Sequence, residues 1–282
     1  MKLKEQILRY FFKRILARNE KFKGRHTGET CYIFGNGASL KNMELGAFSD
    51  HVSIGLNFLC LHNDYRSLNI QYHVLVESFF FYPYVRNPYT NQYQPNVLGN
   101  LFKKAFRQHH DITLFANISN AFGSRLFKKV FYLYHFGNRQ VSRKASDISG
   151  AFSFMTSSLY AAIGLAINMG FKKAILVGCD YMFSPGRIGH FYTSESSIRT
   201  TGPENLYEKL FMECRSLIDL EVITDVGVSS WLPYQDYESL TGRKIRYRDN
   251  VEIVDPAYLK ILNRAFDLKQ QPGVIYPTRS PG

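Results

Sequence analysis

The sequence predicts an α/β protein, a parallel sheet with helices on its faces, and three stretches predict it. The first is the apolar run Cys31 to Phe34, which passes straight into Gly35-Asn36-Gly37. So short a run leaves no room for an amphipathic helix and reads as a buried parallel strand. The second is a pair of similar runs, Val52 to Asn57 and Tyr72 to Val76, each meeting polar residues at its carboxyl end. The third begins at Thr156-Ser157-Ser158, continues as a helical pattern to Met169, and closes at Gly170. Hydroxyls at the start and glycine at the end are helix caps. The strand Lys173 to Val177 comes next and ends in Gly178-Cys179-Asp180-Tyr181, which completes a right-handed βαβ unit.

Leu3, Ile7, Leu8, Phe11, Phe12, Ile15 and Leu16 mark one face of a helix over residues 2–19, with Lys and Arg opposite. Gly24 to Thr30 is a polar linker, and Asn42 to Phe48 a helical turn. Phe79 to Gly99, with Pro83, Pro88 and Pro95, is an aromatic excursion from the sheet. A short helix is expected over Leu101 to Gln108, and strands over Ile112 to Ala116 and Val130 to Phe136. Asn138 to Ile148 is polar and basic and reads as a mobile loop. Met182 to Gly202 lacks periodicity, and so long a loop in a compact domain is usually functional or disordered. Pro203 opens a helix running to Ile218. Glu221 to Thr224 is expected as the last strand, Ser229 to Leu240 as a helix interrupted at Pro233, and the chain beyond Arg243 as a weakly patterned tail.

Charge and cysteine usage narrow the function classes. The net charge is +12, but residues 1–25 hold nine Lys or Arg against two Glu, so seven of the twelve charges sit in that arm. A uniformly basic nucleic-acid-binding surface is therefore not indicated. No apolar run approaches the ~20 residues of a membrane-crossing helix, and Arg9, Lys13 and Arg14 break any signal-peptide core. The arm reads as an interfacial helix on an anionic membrane, with docking on the protein's own body as the alternative. Cys31, Cys60, Cys179 and Cys214 are far apart and form no Cys-x-x-Cys pair, which excludes zinc ribbons and thiol redox motifs and suits buried reduced thiols.

The chemistry-bearing positions gather at the predicted strand ends. Gly35 and Gly37 permit backbone angles closed to other residues, and Ser39 can cap a helical turn starting at its position. Leu40 stands where a dinucleotide fingerprint requires a third glycine, and the chain has no Gly-x-x-x-x-Gly-Lys-Ser/Thr loop. A nucleotide site and a plain strand-to-loop turn both fit the motif taken alone. Asn36, Asn57, and Glu77 with Ser78 end three strands, and strand ends on one edge of a parallel sheet converge in space. Ser157 and Ser158 start the hydroxyl-rich helix, and a helix N-terminus is a ready anion site. No Asp-x-Asp triplet comes after a strand, so metal ligands are not expected.

Taken together, Tyr32-Ile33-Phe34-Gly35-Asn36-Gly37-Ala38-Ser39-Leu40, Asn57, and the block from Ser157-Ser158 to Gly178-Cys179-Asp180-Tyr181 resemble the bacterial CMP-sialic-acid-dependent sialyltransferases of the compact, lid-bearing kind. His190-Phe191 is similar to a pair found in the related Maf-type flagellin and surface-polysaccharide glycosyltransferases. The similarity covers roughly residues 30–240. It implies one Rossmann-like sheet of the GT-A-like sialyltransferase variant with an inserted lid. It also implies transfer of a 2-keto sugar acid from a CMP donor to a hydroxyl of a cell-surface glycan, such as lipopolysaccharide or capsule, without metal or cofactor. Gly35, Asn36, Gly37, Ser39, Asn57, Glu77, Ser78, Ser157, Ser158 and Gly178 would hold the nucleotide sugar. The sialyltransferases place their base histidine further along the lid, shortly before the next helix; here Thr200, Thr201 and Gly202 stand there, and His190 is the only loop histidine. His190 is the expected base, Tyr181 and Tyr192 the expected donors to the departing phosphate, and Asp180 either orients His190, holds the ribose or caps its turn.

The expected organisation is a basic helix and linker over residues 1–28, the nucleotide-sugar domain over 29–242 with its lid at 182–202, and a basic, partly disordered tail over 243–282. The expected location is cytoplasmic, on the inner face of the cytoplasmic membrane through residues 1–25. A glycan acceptor is expected and a nucleic-acid partner is not; a homo-oligomer is compatible. Two other readings stand beside this one. A pyrophosphate-transferring enzyme on the same fold would need Mg²⁺ and a carboxylate cluster. A non-enzymatic membrane or nucleic-acid binder would use the basic arm and leave the glycine turn unexplained.

Overall fold

The computed structural model describes residues 3–266 except 87–92, 110, 126, 136–140, 151, 195–196 and 200–207. Eight strands form one sheet: β1 Thr30–Phe34, β2 Val52–Leu56, β3 Ile70–Leu75, β4 Thr113–Asn117, β5 Val130–Leu133, β6 Lys173–Val177, β7 Asp219–Thr224 and β8 Tyr234–Asp236. Their spatial order is β8-β7-β6-β1-β2-β3-β4-β5, and every pairing is parallel. The chain lays down β1 to β5 in one direction, then crosses back to place β6 on the other side of β1. The order of strands reverses at β1/β6, and such a reversal opens a crevice at the carboxyl edge.

Both faces of the sheet are covered, which is why the strands read as unbroken apolar runs. Cys31 and Ile33 of β1 face one core with α3 (Ser158–Met169), while Tyr32 and Phe34 face another with α2 (Leu98–Phe106) and α5 (Pro256–Phe266). α3 sits close because its residues are small; a Cβ at Gly164 would run into the Phe154 ring. Ser157 caps α3 by accepting from the Tyr160 N–H at 3.2 Å, and Gly170 ends it at φ +84°.

The N-terminal helix α1 (Leu3–Ala17) docks on the body through its last turns, the arrangement the sequence left as the alternative. Leu16 is buried, and the Phe12 and Tyr134 rings lie 5.2 Å apart. Just beyond, Asn19 Nδ2 donates to the carbonyls of Tyr132 and Ile148, each at 2.8 Å. Tyr10 and Phe11 remain exposed. No helix among the described residues is long and apolar enough to cross a membrane.

Several expected elements differ. Residues 234–236 are an edge strand where a helix was expected. Pro233 lacks an N–H, but its carbonyl accepts from the Val222 N–H at 3.0 Å, which suits the start of an edge strand. The helical turn Tyr237–Thr241 comes next, capped by Asp236. The expected tail is integral to the body as far as Phe266: Ile253, Val254 and Leu262 are fully buried, and Asp249 with Glu252 forms a capping box. The remainder of that tail, 267–282, lies outside the described residues. The aromatic excursion contains a small hairpin, Tyr84–Arg86 with Tyr93–Pro95. The described part of the 138–148 loop buries Ala145 and Ile148. The lid carries a hairpin, Gly186–Ile188 with Ser197–Arg199. The expected helix start at Pro203 lies outside the described residues; α4 is described from Glu208 to Cys214.

Candidate active site

The tips of β1 and β6 lock together at the strand reversal. The Gly35 N–H donates to Val177 O at 2.8 Å, and the Gly37 N–H to Gly178 O at 2.9 Å. A Cβ at Gly35 would strike the Gly178 carbonyl, and one at Gly37 the Asp180 carboxylate. Gly178 itself sits at φ +70°. The glycines thus admit the neighbouring strand tip. Asp180 accepts from the Ser39 N–H at 2.8 Å and from the Ser39 hydroxyl. Burial raises its pKa to about 6, against the lowering effect of the Ser39 donors. Asp180 therefore clamps the glycine turn of the neighbouring strand, a role its sequence position did not suggest, with both carboxylate oxygens bonded to Ser39.

One strand further along, Asn57 adopts φ +45°, a left-handed conformation uncommon outside glycine. Its Nδ2 donates to Ser158 Oγ at 3.0 Å, and Ser158 lies 3.2 Å from its Oδ1. Asn57 and the start of α3 are thus joined across 101 residues. The Asn57 carbonyl accepts from His73 Nε2 at 2.9 Å, and Tyr65 OH donates to His73 Nδ1 at 2.9 Å. Burial pushes His73 down to about 3, so the ring is neutral. Gly55 leaves the space that the His73 ring occupies.

The lid closes over the first of these tips. His190 bridges Gly37 in antiparallel fashion, and the Phe191 N–H donates to Asn36 O at 3.1 Å. His190 Nδ1 lies 3.2 Å from the same carbonyl. A carbonyl only accepts, so Nδ1 carries the proton and Nε2 keeps its lone pair. Desolvation lowers the His190 pKa below its ordinary value, with the Asn36 bond opposing. The His190 and Tyr192 rings stack at 4.9 Å, and Tyr192 is itself buried against Phe58. Lys41 is fully buried and donates to Thr193 O at 2.6 Å, tying the turn after Gly37 to the lid. Arg187 of the lid hairpin pairs with Asp225 after β7 at 2.5 Å, and Asn42 donates to the same carboxylate oxygen at 2.7 Å. Between these anchors the Asn36 Oδ1 atom is buried without a hydrogen-bond partner.

The structure therefore brings Gly35, Asn36, Gly37, Ser39, Gly178, Asp180 and His190 into one cluster. Asn57 and Ser158 form a pair at the next strand tip, with Ser157 beside them engaged as the cap. Tyr181 is exposed on the turn after Asp180. Glu77 and Ser78 come after β3 and are bound through their backbone carbonyls to Asn120 and Ser119. Sequence reasoning missed Lys41, His73, Arg187 and Asp225. Arg187 lies three residues before His190 and was legible as part of the lid. His73 inside a strand and Asp225 after one gave no local signal. Among the described residues, no group of three or more His, Cys, Asp or Glu is placed to hold a metal ion.

No protein-family model matches the chain, and no curated protein matches it by sequence. Solved structures do match. The chain is similar to a MAf glycosyltransferase from Magnetospirillum magneticum AMB-1, at 11% identity and TM-score 0.42, over 92% of this chain. It spans only 44% of that longer protein. It is also similar to the sialyltransferase CstII from Campylobacter jejuni in complex with the substrate analogue CMP-3FNeuAc, at 14% identity and TM-score 0.47, over 81% of this chain and 95% of that one. The monofunctional α-2,3-sialyltransferase Cst-I from Campylobacter jejuni matches at 14% identity and TM-score 0.40, over 86% and 94%.

Proposed function

We propose that this protein is a glycosyltransferase that moves a 2-keto sugar acid from a CMP-activated donor to a glycan hydroxyl, with His190 as the base. One observation carries the reading. At the strand reversal, where α/β sheets bind nucleotides, a histidine is held with Nδ1–H on the Asn36 carbonyl, beside an orphaned Asn36 amide oxygen. A buried polar atom without a partner calls for a water, an ion or a ligand's donor. The choice of a CMP donor rests on the motif resemblance of residues 32–40, Asn57 and 157–181.

The chemistry fits these groups. The acceptor oxygen attacks the anomeric carbon of the sugar, and the bond from that carbon to the phosphate oxygen breaks. His190 Nε2 takes the hydroxyl proton, and CMP departs as a phosphate monoester. The positive end of the α3 dipole suits developing negative charge. Asn57, fixed by His73 and Ser158, presents an amide beside it. Tyr181 and Tyr192 stand on either side of the lid in sequence; the exposed Tyr181 hydroxyl suits a donor role, and Tyr192 supports the His190 ring. The exposed Tyr10 and Phe11, with the basic arm, suit contact with an anionic membrane that carries the acceptor.

A thermal-shift series with CMP, CDP, UDP, ADP and GDP, with and without Mg²⁺, tests the donor. CMP is expected to stabilise the protein without metal. Stabilisation by UDP with metal alone, or by no nucleotide, overturns the reading. Co-sedimentation with anionic liposomes tests the arm: Tyr10→Ser with Phe11→Ser is expected to reduce binding, and undiminished binding removes α1 from that role.

A further inference from the structure

A concave site lies at the edge of the sheet opposite the candidate active site. A cavity of about 810 Å³ opens beside the end of α3, where β6 and β7 begin. Lys23, Arg143, Lys144, Lys172 and Arg215 line it, against two carboxylates, Asp147 and Asp219. Segments of the chain that are distant in sequence converge to supply those cations.

Their positive charge is left largely uncompensated. Lys23 pairs with Glu20 at 3.6 Å, an exposed contact. Arg143 and Arg215 reach main-chain carbonyls rather than carboxylates, Leu217 O and Trp231 O, each at 3.4 Å. These long bonds fix the guanidinium groups without neutralising them. Lys144 and Lys172 have no carboxylate within ion-pair distance among the described residues. Asp147, by contrast, is already occupied by the Ser149 N–H at 2.9 Å and the Ser149 hydroxyl at 2.6 Å. A concave site lined by one sign of charge concentrates ligands of the other sign.

A separate observation points to a ligand with polar atoms of its own. Asn168 lines the cavity and is 8% exposed, and its Oδ1 is buried with no partner. An unpaired buried amide oxygen is unfavourable in the empty protein. A bound hydroxyl or protonated phosphate oxygen satisfies it once the side chain turns toward the cavity. With the amide turned, its N–H₂ group serves an anionic oxygen.

We propose that this cavity is a phosphoryl-binding site, separate from the catalytic cleft. Arg143 and Arg215 grip phosphate oxygens, Lys144 and Lys172 supply point charge, and Asn168 contacts a polar atom of the ligand. A soluble phosphorylated molecule and an anionic lipid headgroup share this chemistry. α3 links the site to Ser158 in the catalytic cleft across its 12 residues, a span of about 18 Å.

Titration calorimetry with inorganic pyrophosphate and co-sedimentation with phosphatidylglycerol vesicles separate the two sources. Both run on the full chain and on the double variant Lys144→Gln, Lys172→Gln. Pyrophosphate affinity falling at least tenfold in the variant supports a soluble ligand. Loss of vesicle binding alone supports a lipid headgroup. A change below threefold in both assays, or no pyrophosphate or vesicle binding by the native chain, overturns the proposal. Asn168→Ala is a second variant, in which pyrophosphate binding is expected to weaken severalfold; unchanged binding removes Asn168 from the site. CMP stabilisation, measured on the same variants, is expected to be unchanged, so this proposal and the catalytic one fail independently.

Discussion

His190 is held by its backbone as well as its ring, so replacing the ring leaves the lid strand bridged to Gly37. His190→Ala is therefore expected to lower kcat by roughly 10²–10⁴-fold while CMP affinity stays within a few-fold. Transfer within a few-fold of the native rate would remove His190 from the mechanism. Its pKa lies below the ordinary histidine value because burial disfavours the charged ring. A base must be unprotonated, so kcat/KM is expected to be flat above about pH 6.5 and to fall on the acid side only. At this scale the sequence was partly legible. Gly35-Asn36-Gly37 and Asn57 were visible because each ends an apolar run. The duty of Asp180 was not, because whether a carboxylate faces a serine 141 positions away or a neighbouring histidine depends on the fold.

The helix α3 separates two roles that its adjacent serines could have shared. Ser157 caps the helix and Ser158 meets Asn57. Ser157→Ala is expected to cost about 1 kcal/mol in stability, read as a lowered denaturation midpoint with CMP binding little changed. Ser158→Ala is expected to do the reverse. In the β1 turn, Gly37→Ala places a methyl group against the Asp180 carboxylate. That overpacking is expected to cost roughly 1–3 kcal/mol; a stability equal to the native protein would show that the turn has slack. Strands with both faces buried were legible as continuous apolar runs. The three-residue edge strand β8 escaped because it carries little local signal; the turn 250–253 and α5 escaped although Asp249 with Glu252 is a capping box and α5 is amphipathic, because the basic, weakly patterned residues around them masked those cues.

Over the whole molecule, buried titratable groups set how stability depends on pH. Burial pushes His62 down to about 4 and His73 to about 3, from an ordinary 6.5. As pH falls below 6.5 the unfolded chain takes up protons that the folded chain refuses, so their contribution is present at neutral pH and lost toward pH 4 and below. Asp180 has the opposite sign. Its pKa is raised from 3.8 to about 6, so between those values the folded chain holds the extra proton and gains relative stability on acidification. Burial also raises Asp225 and Glu77 and lowers His190; at 1.36 kcal/mol per unit, the shifts of His62 and His73 together exceed that of Asp180 and set the net sign. Tm is expected to fall from pH 7 to pH 4.5, more steeply in Asp180→Asn and less steeply in His62→Asn. A native Tm that is flat or rising across that range would contradict these burial effects.

By itself the sequence determined the parallel sheet, the caps of α3 and the polar character of the strand ends. These are read from neighbours in the chain, where periodicity and backbone preference act. Only the tertiary structure decided that β6 lies beside β1, that Asp180 clasps Ser39, that His73 supports Asn57, and that five cations from four separate segments share one cavity. Such pairings depend on which side of the sheet a crossover returns to, and on which polar groups must find partners once water is removed.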